Sequence, residues 1–251
     1  MPLQWSWIWR IAALVSLLLA AAAQPATGQI EGITLISQAT AVAGGVTPGD
    51  APGFPVTISR AGSYRLATNL TVSDPTKRAI HITADYVTLD LNGFAIEGPY
   101  WQCFNRLVPI WCSQILQPGH GIYSLARYTT LLRGTVRYMT FNGLNLGPAA
   151  RIERLVVSSN RIHGIALLDL VQGGIISDST LERNGHYGLV CNNCLAFRNT
   201  IQFNGGAGIA GVAGNPVLYG FNILNFNNNG QDQINAQGYE SGPNLCRPAC
   251  P

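Results

Sequence analysis

The stretch Asn199-Thr200-Ile201-Gln202-Phe203-Asn204-Gly205-Gly206-Ala207-Gly208-Ile209 decides how this chain folds. Polar and apolar side chains alternate from Asn199 to Phe203, the period of a strand that shows one face to a core and one to water. The alternation stops after a few residues at asparagine and glycine, which accept left-handed backbone angles cheaply and so mark a turn. A second apolar step then opens at Gly208-Ile209.

Both markers recur along the chain. The glycine–aliphatic step appears at Gly121-Ile122, Gly143-Leu144, Gly164-Ile165, Gly188-Leu189 and Gly208-Ile209, spaced 22, 21, 24 and 20 residues apart. A degenerate copy, Gln233-Ile234, follows 25 residues later. The asparagine marker rides on the same period at Asn160, Asn184, Asn204 and Asn227, and Asn222-Ile223-Leu224-Asn225-Phe226 repeats the alternation. Short strands at this spacing leave no room for the helices of a βαβ sheet. They can stack instead, each turn of chain forming one coil ~4.8 Å above the last and burying its inward side chains against its neighbours. An asparagine turned inward would meet its counterpart in the next coil, so the marker reads as a buried hydrogen-bonded ladder.

The period, the glycine–aliphatic step and the asparagine marker together resemble the right-handed parallel β-helix repeats of the pectate-lyase-like superfamily. The segment Tyr86-Val87-Thr88-Leu89-Asp90-Leu91-Asn92-Gly93-Phe94-Ala95-Ile96 is similar to the opening coils of bacterial exported proteins of that type. The resemblance covers residues 60 to 235. It implies an all-β, single-stranded right-handed parallel β-helix with N- and C-terminal caps, and an exported setting. It implies no single reaction, because the superfamily holds lyases, hydrolases, adhesins and proteins without known activity.

Composition agrees with a turn-rich solenoid. Of 251 residues, 28 are Gly and 14 are Pro, 47% are apolar and only 11% are charged. A net charge of +3, with no run of basic residues, argues against nucleic acid as a partner. At the N-terminus, Arg10 precedes the apolar stretch Ile11 to Ala23, which ends in Ala21-Ala22-Ala23 before Gln24. This pattern reads as a cleaved signal peptide over residues 1–23, since the stretch falls short of the ~20 apolar residues that span a bilayer. The expected organisation is then an N-terminal strand and cap region over 24–63, coils over 64–240 and a C-terminal disulfide cap over 241–251. Six cysteines in an exported chain read as three bridges, and their clustering points to Cys103–Cys112, Cys191–Cys194 and Cys246–Cys250. The Cys191-Asn192-Asn193-Cys194 motif alone would also suit a redox pair or half a metal site. No second such motif and no βαβ pattern accompany it, and no metal or cofactor is implied.

Registering the coils on the asparagine marker places Arg133, Arg154, Asp178 and Arg198 in one outward column. Val156, Thr180 and Thr200 lie beside it, followed by Ser158, Glu182 and Gln202. The column reads either as a solvated charge ladder or as a shallow cationic groove in which arginine forks bind the carboxylates of an acidic polysaccharide. The same register puts Arg183 into an inward column with Phe203 and Phe226, where a charge does not belong. Between Gly98 and Gly119 the period breaks, and the interruption carries Trp101 and Trp111, candidates for stacking on sugar rings or for packing onto the scaffold.

A catalytic reading needs more than the sequence supplies. Glycoside hydrolysis uses two carboxylates at close range. Asp178 and Glu182, four apart in an expected strand, fall about 13 Å apart, and Asp169 would have to supply a further acid. Gly119-His120-Gly121 is identical to a short motif of polygalacturonases, but that family's Asn-Thr-Asp and paired Asp-Asp motifs are absent, and His163 occupies the equivalent place in another coil. Two readings stay open. One is a secreted, non-catalytic protein that binds polysaccharide or a cell-surface glycan. The other is a lyase or hydrolase using Arg154, Asp178, Glu182 and Arg198. The sparse carboxylates favour the first.

Overall fold

The computed structural model describes residues 29–30, 32–100, 119–167, 173–211, 214–247 and 250. The expected leader, Asp169, Trp101, Trp111 and the Cys103–Cys112 pair lie outside the described residues. Most coils contribute three short strands, and in two coils the first two merge into single eight-residue strands, Thr130–Arg137 and Arg151–Ser158. In one coil the three are Ile175–Ser177, Thr180–Glu182 and Leu189–Cys191. The first two belong to a long sheet of 16 strands, bent at a corner into two lanes. The third belongs to an eight-stranded sheet that runs without interruption from Val56–Ile58 to Ile234–Asn235. Every pairing is parallel except that of Gln29–Ile30 with Ile33–Ile36 at the N-terminal end. The chain is therefore an all-β parallel solenoid of about 7 turns. Right-handed winding is the sense in which twisted parallel strands are nearly always joined.

The middle residue of each three-residue strand in the long sheet, and the first and third in the eight-stranded sheet, point into the solenoid. Ile152, Ile176 and Ala196 fill the first lane, Val136, Val157, Leu181, Ile201 and Leu224 the second, and Ile122, Leu144, Ile165, Leu189 and Ile209 the eight-stranded sheet, all completely buried. Each such side chain contributes about 1.5–3 kcal/mol by leaving water. This sum, rather than any single strand pairing, makes strands of three residues viable.

Corners between strands use left-handed backbone at residues other than glycine. At the first corner these are Arg133, Arg154, Asp178, Arg198 and Phe221, with φ from 47° to 56°. At the second they are Ser159, Arg183, Phe203 and Phe226, with φ from 49° to 55°. Left-handed angles cost an L-residue roughly 1–2 kcal/mol, and the residue that follows offsets the cost. Asn204 donates its amide to the Leu181 carbonyl at 3.0 Å and to Asn227 Oδ1 at 2.8 Å. Its own Oδ1 accepts from the backbone and side-chain nitrogens of Asn184, both at 3.0 Å. The ladder runs Asn160–Asn184–Asn204–Asn227 and ends on Gln233 Oε1. A second ladder, absent from the sequence-based register, runs behind the first corner through Ser179, Asn199, Asn222 and Asn244.

The ladder also explains the glycine marker. A Cβ on Gly143, Gly164, Gly188 or Gly208 would stand 2.7–2.8 Å from the side-chain nitrogen of Asn160, Asn184, Asn204 or Asn227. Each asparagine amide occupies the space that a side chain on the glycine would need, so the two markers share one period for one steric reason.

At the N-terminal end, Ser37 caps a short helix, Gln38–Ala43, in a reciprocal box with Thr40. Strands Ile33–Ile36 and Val56–Ile58 already pair with the coils that follow. Cys191 is bridged to Cys194 and Cys246 to Cys250. No helix among the described residues is long and apolar enough to cross a membrane.

Candidate functional site

Strand register settles which outward residues stand together on the long sheet. Gly134 pairs with Leu155, Val156 with Thr180 and Thr180 with Thr200, which brings the first-corner residues Arg133, Arg154, Asp178 and Arg198 into one column. Phe221 continues it in the following coil. In the second lane, Glu97, Arg137, Ser158, Glu182, Gln202, Asn225 and Arg247 line up coil by coil. Both outward columns expected from the sequence are present.

Corner geometry changes two expectations. Asp178 and Glu182 do not share a strand, because Asp178 turns the corner between Ile175–Ser177 and Thr180–Glu182. The column of Arg183, Phe203 and Phe226 faces water rather than the core. Its residues sit at the left-handed corner position directly before each ladder asparagine, and Phe203 and Phe226 are 44% and 46% exposed. The sequence register was offset by one residue here, because the corner consumes a residue that strict alternation would turn inward. Arg183 is consequently in place, its guanidinium 5.5 Å from the Phe203 ring centre.

Charge on this face is closely paired. Arg198 binds Asp178 through two hydrogen bonds of 2.7 and 2.9 Å, which hold the Asp178 carboxyl below the usual carboxylate range. Arg137 pairs with Glu97, and Glu182 takes Arg183 at 2.8 Å and the Gln202 amide at 2.8 Å. Asp90 is shared by Arg65 and Arg133, and Glu153 by Arg151 and Arg154. Seven arginines thus share five carboxylates, and the cation surplus sits at Asp90 and Glu153.

Toward the C-terminal coils the same face turns apolar. Leu218, Phe221, Ile223, Phe226 and Leu245 are all more than two-fifths exposed. Phe203 and Phe226 stack with centres 5.9 Å apart, Phe197 meets Phe221 edge-on at 5.2 Å, and Arg198 lies 4.7 Å over Phe197. These rings are the functional candidates that reading the sequence missed. The signal was available in Phe203 and Phe226 but was assigned to the core. Chemically, the face offers forked cations beside open aromatic faces and no unpaired carboxylate in the coils from Val87 to Gln202, among the described residues.

No family model matches the chain, and no curated protein matches it. Among solved structures it is similar to the Dettilon tailspike protein, at 15% identity and a TM-score of 0.48, over 76% of this chain and 43% of that one. It is also similar to the A-modules of two mannuronan C-5 epimerases from Azotobacter vinelandii, at 15% and 12% identity with TM-scores of 0.32 and 0.33. These similarities cover 79% and 81% of this chain and 65% and 70% of the modules. The chain thus spans less than half the length of the tailspike and about two thirds that of the modules. On its own strand register, the chain is a single-stranded right-handed parallel β-helix.

Proposed function

We propose that the protein is an exported, non-catalytic scaffold that binds an acidic polysaccharide along the outer face of its long sheet. One observation carries this reading: the carboxylates Asp90, Glu97, Glu153, Asp178 and Glu182 are each held by arginine. A general acid must keep its proton near neutral pH, and the Arg198 guanidinium holds Asp178 below the usual carboxylate range, in the opposite state. The same pairing leaves two arginines in excess, at Asp90 and Glu153, where a glycan carboxylate would find fork donors. The exposed rings of Phe203, Phe221 and Phe226 offer apolar faces to sugar C–H groups in the following coils. Arg133 and Arg154, which share their carboxylates with a second arginine, are the proposed carboxylate contacts, while Arg198 is engaged by Asp178. Export rests on the leader pattern of residues 1–23 and agrees with the two bridged cysteine pairs.

The test is to incubate the chain from Gln24 onward with acidic and neutral polysaccharides, following binding, reducing ends and unsaturated-sugar absorbance together. Binding to acidic chains that weakens with added salt, without turnover, is the expected result. Turnover abolished by Asp178→Asn or Arg198→Ala would overturn the reading in favour of a lyase or hydrolase acting on this face.

A further inference from the structure

A second cluster lies on the eight-stranded sheet, away from the arginine columns. Strand Ile80–Ile82 pairs with Ile122–Ser124, setting His81 beside Tyr123 on the outer face. Arg78 and His120 lead into these two strands from equivalent positions, and the Ala79 backbone nitrogen donates to the His120 carbonyl. Three basic side chains therefore converge on one phenol ring. The Arg78 guanidinium stacks 3.8 Å from its centre, and the imidazoles of His81 and His120 lie 5.5 and 5.3 Å away. Thr57 and Asn145 flank His81 and Tyr123 in the adjoining coils.

Among the described residues, no carboxylate pairs with Arg78, unlike the seven arginines of the long sheet. His120 is only 4% exposed, yet its Nδ1 has no hydrogen-bond partner. An unpaired buried nitrogen is costly and marks a polar position that the fold itself leaves unused. Residues 101–118, which precede His120 in the chain, contain Arg106 but no aspartate or glutamate.

We propose that Arg78, His81, His120 and Tyr123 form a binding site for a phosphate group, as free phosphate or a phosphate monoester, independent of the polysaccharide reading of the long sheet. The guanidinium supplies a planar fork whose orientation is fixed by stacking on Tyr123, the arrangement that suits bidentate contact with an oxyanion. Tyr123 and His81 add donors from the sides, and the His120 ring closes the site at its buried end. Burial and Arg78 pull His120 down to about 4, so its ring is neutral at physiological pH and donates from a single nitrogen.

The experiment is a titration of the chain from Gln24 onward with inorganic phosphate, methyl phosphate and acetate, read by calorimetry and by the histidine ring proton resonances. Saturable one-to-one binding of phosphate that shifts His81 and His120 resonances is expected. Arg78→Gln should weaken it about tenfold or more, the loss of one charged hydrogen-bonded pair, whereas Arg198→Gln should leave it unchanged. Equal binding of methyl phosphate identifies an ester ligand, and binding of inorganic phosphate alone identifies the free ion. Because His120→Gln removes a buried ring and risks misfolding, Arg78→Gln and the wild-type resonances decide the matter. No saturable binding, acetate binding as tight as phosphate, or unchanged affinity in Arg78→Gln would each overturn the proposal.

Discussion

Residues 198 and 199 are neighbours in the chain and obey opposite rules, as do 203 and 204. Arg198 and Phe203 occupy the outward, left-handed position of a corner, and their columns change chemistry from coil to coil, through Arg, Asp and Phe. Asn199 and Asn204 face inward, and their ladders keep nearly the same residue at each step. The inward position must present a donor and an acceptor one coil apart in a dry interior, which the asparagine amide supplies, with Ser179 and Gln233 at the ladder ends. The outward position must only tolerate its backbone angle. Stability is therefore concentrated in the ladder and the aliphatic columns, and recognition is free to be written on the corners beside them.

The contrast breaks most visibly at the ladder. Asn204→Ala removes the acceptor of both Asn184 nitrogens and the side-chain donor to the Leu181 carbonyl and Asn227 Oδ1, leaving Asn227 Oδ1 only the backbone N–H of residue 204. A loss of about 3 kcal/mol or more is expected, read as a lower denaturation midpoint. A drop no larger than that of an exposed corner substitution would mean that the ladder is decorative. Gly188→Ala probes the same device from the other side. Its Cβ would meet Ile201 Cγ2 at 2.6 Å and Asn204 Nδ2 at 2.8 Å, and the crowding should destabilise by about 1–3 kcal/mol.

Acid provides a smaller, distributed test. Burial lowers His120 and His163 from 6.5 to about 4, with Arg78 adding to the shift at His120 and His186 at His163. Between those values the unfolded chain binds protons that the folded chain refuses, so the stability these rings allow is full above pH 6.5 and declines as pH falls toward 4. Asp178 acts in the same direction but below that window, since the benefit of its lowered value is full above 3.8 and lost as pH falls through it. Denaturation midpoints measured across this window should fall with pH, and His163→Gln should flatten the decline. A midpoint that does not move would contradict the buried, uncharged state of both rings.

The outward side should yield the smallest stability effects and the sharpest functional ones. Phe203→Ser at the exposed corner should change stability by no more than about 0.5 kcal/mol while weakening polysaccharide binding. Arg154→Ala should leave the midpoint nearly in place, because Glu153 keeps Arg151 as its partner, and should reduce affinity for acidic chains. A corner variant that unfolds the protein as readily as Asn204→Ala would erase the distinction between the two sides.

Much of this was legible from residue order. The Gly–aliphatic and Asn markers located every coil from Gly121 to Ile234, and the outward column of Arg133, Arg154, Asp178 and Arg198 followed from counting back from Asn160, Asn184 and Asn204. The second ladder was not seen, although Asn199 and Asn222 stand 23 residues apart, because an asparagine at a strand boundary looks the same whether its amide is buried or hydrated. Phe203 and Phe226 were assigned inward because alternation carries no sign that a corner has used one residue.

By itself the sequence determined the solenoid, since a 20–25-residue period of short strands without helices can bury its apolar side chains only by stacking. It also determined that charge is scarce and that arginine dominates the cations. Tertiary structure alone decided which charges are spent. Whether an arginine meets a carboxylate, as Arg198 does and, among the described residues, Arg78 does not, depends on which residues coil stacking superimposes, and partners 20 to 43 residues apart are invisible to local pattern. The unpaired nitrogen of His120 is of the same kind, because burial and the lack of a partner are properties of a neighbourhood and not of a residue.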